Sequence, residues 1–192
     1  MTNVVRYLTH PQVNIDPSIP VPRWGLSEVG KARTEAVTAT GALSGTTQVI
    51  SSGEQKAIET AEIIAAKLGV DVEVREAMHE NDRSATGFLV PDEFEAMANQ
   101  FFAQPHASIR GWERAVDAQR RIVQEVEHVL ARNTPGDVLL VGHGGVGTLL
   151  YCHYSGLAIA RAHDQLAGGG CFFAFRSHDR RVLHAWRRLE EL

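Results

Sequence analysis

Two histidines follow short apolar runs that have the composition of β-strands. His10 comes directly after residues 4–9, and His143 comes after residues 138–141 with only Gly142 between. An unprotonated imidazole nitrogen is a nucleophile near neutral pH, and a second, protonated imidazole can support the charge of a transferring phosphoryl group. The pair therefore suggests phosphoryl transfer through a covalent intermediate.

Both histidines need a scaffold whose strands end at one edge. Strand-type runs alternate with helical patterns along the chain. The strand-type runs are 4–9, 48–51, 70–74 and 138–141, and the helical patterns are 27–40, 54–68, 113–131 and 146–154. This alternation predicts an α/β fold with a mostly parallel central sheet and helices on both faces. Two last strands, at 171–175 and 182–186, predict an antiparallel hairpin at the edge of that sheet.

The carboxyl edge of such a sheet is the expected binding site, because ligands of open α/β sheets bind beyond the strand ends. His10, Ser51, Ser52 and His143 are expected at that edge. Helices follow the second and fourth predicted strands, 48–51 and 138–141. The N–H groups at a helix N-terminus favour a bound anion. A phosphate group fits such a place.

The length of 192 residues, with 44% hydrophobic and 22% charged residues, predicts a single domain over residues 1–192. Residues 83–110 contain scattered proline, phenylalanine and methionine and interrupt the strand–helix alternation. We expect them to form a helical insertion over the carboxyl edge of the sheet, where they would be a candidate lid.

Charge and cysteine content narrow the function classes. A net charge of -4 argues against a nucleic-acid partner. No stretch approaches the ~20 apolar residues of a membrane span, and the first residues do not resemble a secretory signal. Cys152 and Cys171 have no metal-ligand spacing, and the histidines show no metal motif. We therefore expect a cytoplasmic protein without a bound metal.

A competing motif lies on the same residues, because the run GHGGVG at 142–147 satisfies G-x-G-x-x-G after a strand and before a helix. A dinucleotide-binding fold also needs an acidic residue at the tip of the next strand, about 20 residues on, and further parallel strands. Asp164 lies in a helical-looking stretch, and only a hairpin follows. The dinucleotide interpretation is therefore disfavoured.

Four segments in chain order resemble motifs of the histidine phosphatase superfamily, also called the phosphoglycerate mutase-like family. They are the opening strand with its nucleophile at 4–10, WGLSEVGKA at 24–32, SSGEQKAIETA at 51–61 and VGHGGV at 141–146. The resemblance implies a phosphoglycerate mutase-like fold and a phosphomonoester hydrolase that works through a phosphohistidine, with no cofactor. Its partner would be a small phosphorylated substrate or phosphate ion, and a homodimer is possible.

The resemblance also implies roles for individual residues. His10 would accept the phosphoryl group, His143 would be the second histidine of the pocket, and Glu80, after the third strand, would be the acid. A carboxyl group near an anionic substrate has its pKa raised, as a general acid requires. The expected phosphate-binding groups are the side chains or backbone of Lys56, Gln12, Asn14, Gly144 and Arg83.

Two departures from the family pattern concern phosphate binding. Thr9-His10-Pro11 stands where the family has Arg-His-Gly, and Lys56 stands where the family has a second arginine. Lysine keeps the positive charge but lacks the planar fork that matches phosphate oxygens. Weaker phosphate binding is therefore expected.

A phosphosugar mutase and a catalytically weak phosphate-binding or interaction module remain the alternatives to a phosphomonoester hydrolase.

Overall fold

A computed structural model describes residues 3–192 of the chain. Its strands are β1 (Val4–Thr9), β2 (Thr46–Ser52), β3 (Val72–Arg75), β4 (Asp137–Gly142), β5 (Cys171–Arg176) and β6 (Val182–Arg188). Its α-helices are α1 (Glu28–Ala39), α2 (Gln55–Leu68), α3 (Pro91–Ala103), α4 (Ala115–Leu130) and α5 (Gly144–Ser155). Short 3-10 turns connect several of these elements.

The six strands form one sheet in the order β3-β2-β4-β1-β5-β6. Strands β1 to β4 pair in parallel, whereas β5 runs antiparallel to β1 and β6 runs antiparallel to β5. The predicted α/β class, with a mostly parallel sheet and an antiparallel edge hairpin, is confirmed.

Alternate residues of the central strands face opposite layers of helices, as the period of two in a β-strand requires. In β1, Tyr7 packs with the layer that contains α3, α4 and α5, and Leu8 packs with the layer that contains α1 and α2. In β4, Leu140 and Val141 divide in the same way. The sheet is therefore covered on both faces, and its open side is the edge where the strands end.

Several predicted boundaries differ from the structure by one or two residues, among them the starts of β3 and α5. The third strand begins at Val72 and not at residue 70, because Gly69 ends α2 with a left-handed φ of 70° and the Val70 N–H donates to Ala65 O at 3.2 Å. These bonds make residue 70 part of the helix cap. The last crossover helix, predicted from residue 146, begins at Gly144, directly after His143.

The predicted insertion at 83–110 contains α3. The buried face of α3, including Met97, Phe101 and Phe102, joins the core cluster that also holds Trp112 and α4. That this segment covers the site as a lid stays a prediction. Within residues 3–192, no helix combines the length and apolar character that crossing a membrane requires.

Candidate active site

The two histidines are brought together by main-chain register. Thr9 and Gly142 are paired at the last position of β1 and β4, so the next residue of each strand emerges at the same edge. The His10 N–H donates to Gly142 O at 3.1 Å, and the two imidazole centroids lie 5.3 Å apart with the rings inclined by 66°. The pair expected from the sequence is therefore in contact.

The orientation of His10 leaves one ring nitrogen free. Its Nδ1 lies 2.9 Å from Pro11 O. Because a carbonyl oxygen only accepts, Nδ1 carries the proton and Nε2 keeps its lone pair. Burial, with the positive charges that His143 and Lys56 can carry, lowers the pKa of His10 to about 3. His10 is therefore a neutral imidazole with an unprotonated Nε2 at neutral pH.

His143 is completely buried, with 0% of its surface exposed. Its backbone N–H donates to the Tyr7 hydroxyl at 3.1 Å, and its ring Nε2 lies 2.8 Å from Ser52 Oγ. Burial lowers the pKa of His143. Among residues 3–192, Nδ1 has no hydrogen-bond partner. Since buried polar atoms are normally paired, Nδ1 is the atom of His143 that the described residues leave unsatisfied.

The glycines around His143 are explained by close packing rather than by a dinucleotide. A Cβ at Gly142 would lie 2.3 Å from the Tyr7 hydroxyl oxygen, and one at Gly147 would lie 2.4 Å from Tyr7 Cε1. A Cβ at Gly144 would lie 2.2 Å from Gln165 Nε2. The G-x-G-x-x-G pattern therefore makes room for two side chains that pack against the start of α5.

Glu80 lies at the N-terminus of α5. Its carboxylate accepts the N–H groups of Gly145 at 3.1 Å and Val146 at 2.9 Å. Burial alone would raise the pKa of Glu80, but the positive charges of Arg83 and of a protonated His143, with the Val146 N–H, lower it overall. The raised pKa expected beside a bound anion is thus not a property of this structure, in which Glu80 is a carboxylate.

Arg121 holds the loop that carries Glu80. Its guanidinium donates to the carbonyl oxygens of Ala77 and His79, both at 2.9 Å, and pairs with Glu113 at 2.7 Å. These bonds satisfy the backbone of a segment without regular structure and leave the Glu80 carboxylate directed at α5.

Lys56 is 3% exposed and already has two partners. Its Nζ donates to Val21 O at 3.0 Å and forms an ion pair with the Glu54 carboxylate. Glu54 is 7% exposed; its Oε1 accepts the Glu80 N–H at 2.9 Å and lies 3.6 Å from His143 Nε2. The predicted cation is thus present, but a buried carboxylate neutralises it.

Sequence reasoning missed Glu54 as a site residue. Burial alone would raise its pKa, but the positive charges of Lys56 and of a protonated His143, with hydrogen bonds from Lys56 and the Glu80 N–H, lower it strongly. A glutamate immediately before a helix is an ordinary residue for that position, so its type carried no signal. Its separation of two residues from Lys56 was the available hint.

The other predicted phosphate ligands lie in different surroundings. Gln12 Oε1 accepts from Arg33 at 2.9 Å, and Asn14 is exposed with its backbone N–H on Gly25 O at 2.9 Å. Arg83 stacks on two aromatic rings, with its guanidinium carbon 5.0 Å from the Phe94 centroid. Arg83 also acts on the pKa of Glu80, so of these three it is the one linked to the catalytic candidates.

Thr9, which replaces the family arginine, is buried and holds Gln165. Its hydroxyl lies 2.6 Å from Gln165 Oε1 and accepts the Cys171 N–H at 2.9 Å. The amide Nε2 of Gln165 consequently lies against Gly144, at the start of α5. Gln165 is a second residue that the sequence did not single out, because nothing in its local pattern distinguishes it.

A model of the histidine phosphatase superfamily (branch 1) matches residues 20–187, a range that contains Lys56, Glu80 and His143 and begins after His10. The solved structure of YhfR from Bacillus stearothermophilus has a TM-score of 0.78 at 19% identity, covering 95% of this chain and 95% of its own. No curated protein sequence matches the chain.

Two further structures are similar. Mycobacterial glucosyl-3-phosphoglycerate phosphatase in complex with inorganic phosphate has a TM-score of 0.75 at 20% identity, covering 96% of this chain and 94% of its own. Phosphoserine phosphatase from Entamoeba histolytica, in complex with 3-phosphoglyceric acid, has a TM-score of 0.76 at 16% identity, covering 99% and 100%. At these identities the likeness shows the fold alone.

Proposed function

Because this chain belongs to the histidine phosphatase superfamily (branch 1), we propose that it is a phosphomonoester hydrolase that forms a phosphohistidine on His10. The observation that carries the proposal is the state of the two imidazoles. His10 has a proton on Nδ1 and a free lone pair on Nε2, and it contacts a buried histidine whose Nδ1 is unpaired. An unprotonated imidazole is the nucleophile that phosphoryl transfer needs, and the unpaired nitrogen beside it supports a contact to a phosphoryl oxygen, although His143 is neutral here and not protonated as predicted from the sequence.

In the first step, Nε2 of His10 attacks the phosphorus and the bond to the leaving oxygen breaks. Glu80, protonated once a phosphorylated substrate lies beside it, gives its proton to that oxygen, because an alkoxide is a poor leaving group. His143 Nδ1 and Lys56 Nζ are the groups that would contact the transferring phosphoryl oxygens. The products are an alcohol, a phosphohistidine and a carboxylate at Glu80.

In the second step, water attacks the phosphohistidine. The Glu80 carboxylate takes a proton from that water, the P–N bond breaks, and Nε2 regains its lone pair. Phosphate leaves, and Glu80 is again protonated for the next cycle or loses its proton to solvent. Protons and electron pairs balance without a metal or an organic cofactor.

A trapping experiment tests the proposal. The protein is mixed with a ³²P-labelled aryl phosphate for less than one turnover and quenched in alkali, where phosphohistidine survives. We expect label on the wild-type chain and none on His10→Asn, with phosphate release reduced about 10³-fold or more. His106→Asn, which changes an exposed histidine, is the matched control. Wild-type turnover in His10→Asn would overturn the mechanism.

A phosphate-binding module with little turnover is the second candidate, and the Glu54–Lys56 pair is the observation that favours it. A pocket whose cation is already neutralised stabilises a phosphoryl transition state less than one with a free cation. If the wild-type chain binds phosphate esters but never carries the label, this candidate replaces the hydrolase.

A further inference from the structure

Two carboxylates occupy the donors that a phosphate would use. Glu54 pairs with Lys56, the buried cation at the start of α2. Glu80 accepts the N–H groups of Gly145 and Val146, the first turn of α5. Both helix starts at the carboxyl edge were expected to be anion sites. At the start of α5 a side chain of the protein already supplies the anion, and at the start of α2 Glu54 neutralises Lys56 without accepting a helix N–H.

Six ionisable side chains of the candidate site determine its formal charge. Lys56 and Arg83 contribute two positive charges, and Glu54 and Glu80 contribute two negative charges. His10 and His143 are neutral near pH 7, because burial lowers the pKa of each. The six side chains therefore have no net charge, whereas a phosphomonoester dianion brings two negative charges.

Charge repulsion makes the second of those charges unfavourable. Glu54 forms an ion pair with Lys56, so a phosphoryl group that contacts Lys56 Nζ lies within a few ångströms of the Glu54 carboxylate. At such separations in a buried site, like charges repel strongly and water screens them little. A singly charged phosphoryl group would meet half of that repulsion.

We propose that Glu54 makes this site select phosphoryl groups with a single negative charge, so that a phosphomonoester binds as its monoanion. The inference rests on the proposed function and adds the ionic form of the substrate. Charged or titratable groups from several elements act on Glu54. They are Lys56 from α2, His143 after β4, Glu80 after β3, Tyr7 within β1 and His10 directly after β1.

Monoanion binding also accounts for the proton that catalysis needs. Both carboxylates are held deprotonated, since the pKa of each lies below its ordinary value. The proton on the bound monoanion can pass to Glu80 and from there to the leaving oxygen. The bond that breaks is P–O, the bond that forms is P–N on His10, and the proton ends on the alcohol.

The test compares two ligands of the same shape and different charge. At pH 8, methyl sulfate has one negative charge, and methyl phosphate is mostly the dianion because its second pKa is about 6. Binding is measured by isothermal titration calorimetry in His10→Asn, which cannot consume methyl phosphate. We expect methyl sulfate to bind about tenfold more tightly than methyl phosphate.

Replacing Glu54 should reverse that order. In His10→Asn with Glu54→Gln, one negative charge is removed, and we expect methyl phosphate to become the tighter ligand. Between pH 8 and pH 6, the affinity of methyl phosphate should rise in His10→Asn and change less when Glu54→Gln is added. Glu62→Gln makes the same chemical change at an exposed position two turns along α2 and should leave the order unchanged.

The proposal is overturned if His10→Asn prefers methyl phosphate at pH 8, if Glu54→Gln leaves the order unchanged, or if neither ligand binds. Where Glu54→Gln does not fold, the order in His10→Asn decides alone. Failure of the hydrolase is seen separately, as the absence of label in the trapping experiment. A preference for the monoanion without label would leave the charge selection standing and remove the enzyme.

Discussion

The ends of β1 and β4 differ from the start of α2 in what determines side-chain position. At the strand ends, parallel register brings His10 and His143 side by side, with ring centroids 5.3 Å apart. At the start of α2, Lys56 is directed by an ion pair with Glu54 and a bond to Val21 O. In the proposed mechanism, the chemical step would therefore depend on the sheet, and phosphate binding would depend on a few side-chain contacts that single substitutions can rearrange.

The largest expected effect tests whether the ion pair really holds the start of α2. Lys56→Met should lower the free energy of unfolding by about 3 kcal/mol or more, because it leaves the Glu54 charge buried without a partner. Urea unfolding at pH 7 measures this value. Adding Glu54→Gln to Lys56→Met should recover most of the loss, since no buried charge is then unpaired.

Lys67→Met, at an exposed position of the same helix, is the control and should have little effect. Equal losses for Lys56→Met and Lys67→Met would contradict the importance of the pair.

The pKa of Glu54 is depressed in the folded chain. The stabilising contribution of its carboxylate is therefore present above the unfolded pKa of about 4.3 and is lost as the pH falls below that value.

The next effect concerns Glu80, whose carboxylate lies on the first turn of α5, the helix that follows His143. Glu80→Gln keeps the size of the side chain but cannot deliver a proton at neutral pH. We expect kcat to fall about 10²-fold on an alkyl phosphate and much less on p-nitrophenyl phosphate, whose phenolate leaves without a proton. Steady-state phosphate release measures both. Equal losses on the two esters would indicate that Glu80 acts in the second step or only supports the structure.

A smaller effect is expected at Gln165, which Thr9 holds against the start of α5. We expect its amide to donate to the phosphoryl group in place of the missing arginine. Gln165→Leu should then weaken phosphate-ester binding about tenfold, which corresponds to ~1.4 kcal/mol. Gln100→Leu, on the exposed side of α3, is the control. Unchanged calorimetric affinity in Gln165→Leu would show that the Gln165 amide does not replace the missing arginine.

No effect at all is expected from chelators. Within residues 3–192, no group of three His, Cys, Asp or Glu side chains is arranged to hold a metal ion. Activity on p-nitrophenyl phosphate is compared before and after treatment with EDTA, with back-titration by divalent ions. Activity that disappears with EDTA and returns with one ion would require a different mechanism at His10.

The elements of the fold were predictable because burial and period are local properties of the chain. The apolar run of β4 predicted a strand covered on both faces, and the structure has one there. The helical pattern at 27–40 predicted α1, and the Ser27 hydroxyl caps that helix by accepting the Gly30 N–H at 3.2 Å. Boundaries were less predictable at β3 and α5. The left-handed Gly69 makes Val70 part of the cap of α2, and α5 begins at Gly144, two residues before the predicted start.

The sequence by itself determined which residues meet at the carboxyl edge, since parallel strands align their ends and His10 and His143 each follow one. Only the tertiary structure decided the electrostatics of that edge. Glu80 and Gln165 lie far along the chain from their partners, which α5 and β1 bring to them. Glu54 is two residues from Lys56, but its contacts with Glu80 and His143 also depend on how the helices pack on the sheet. The physical reason is that register follows from backbone periodicity, whereas the pairing of a buried charge depends on which other charges the packed helices bring within a few ångströms.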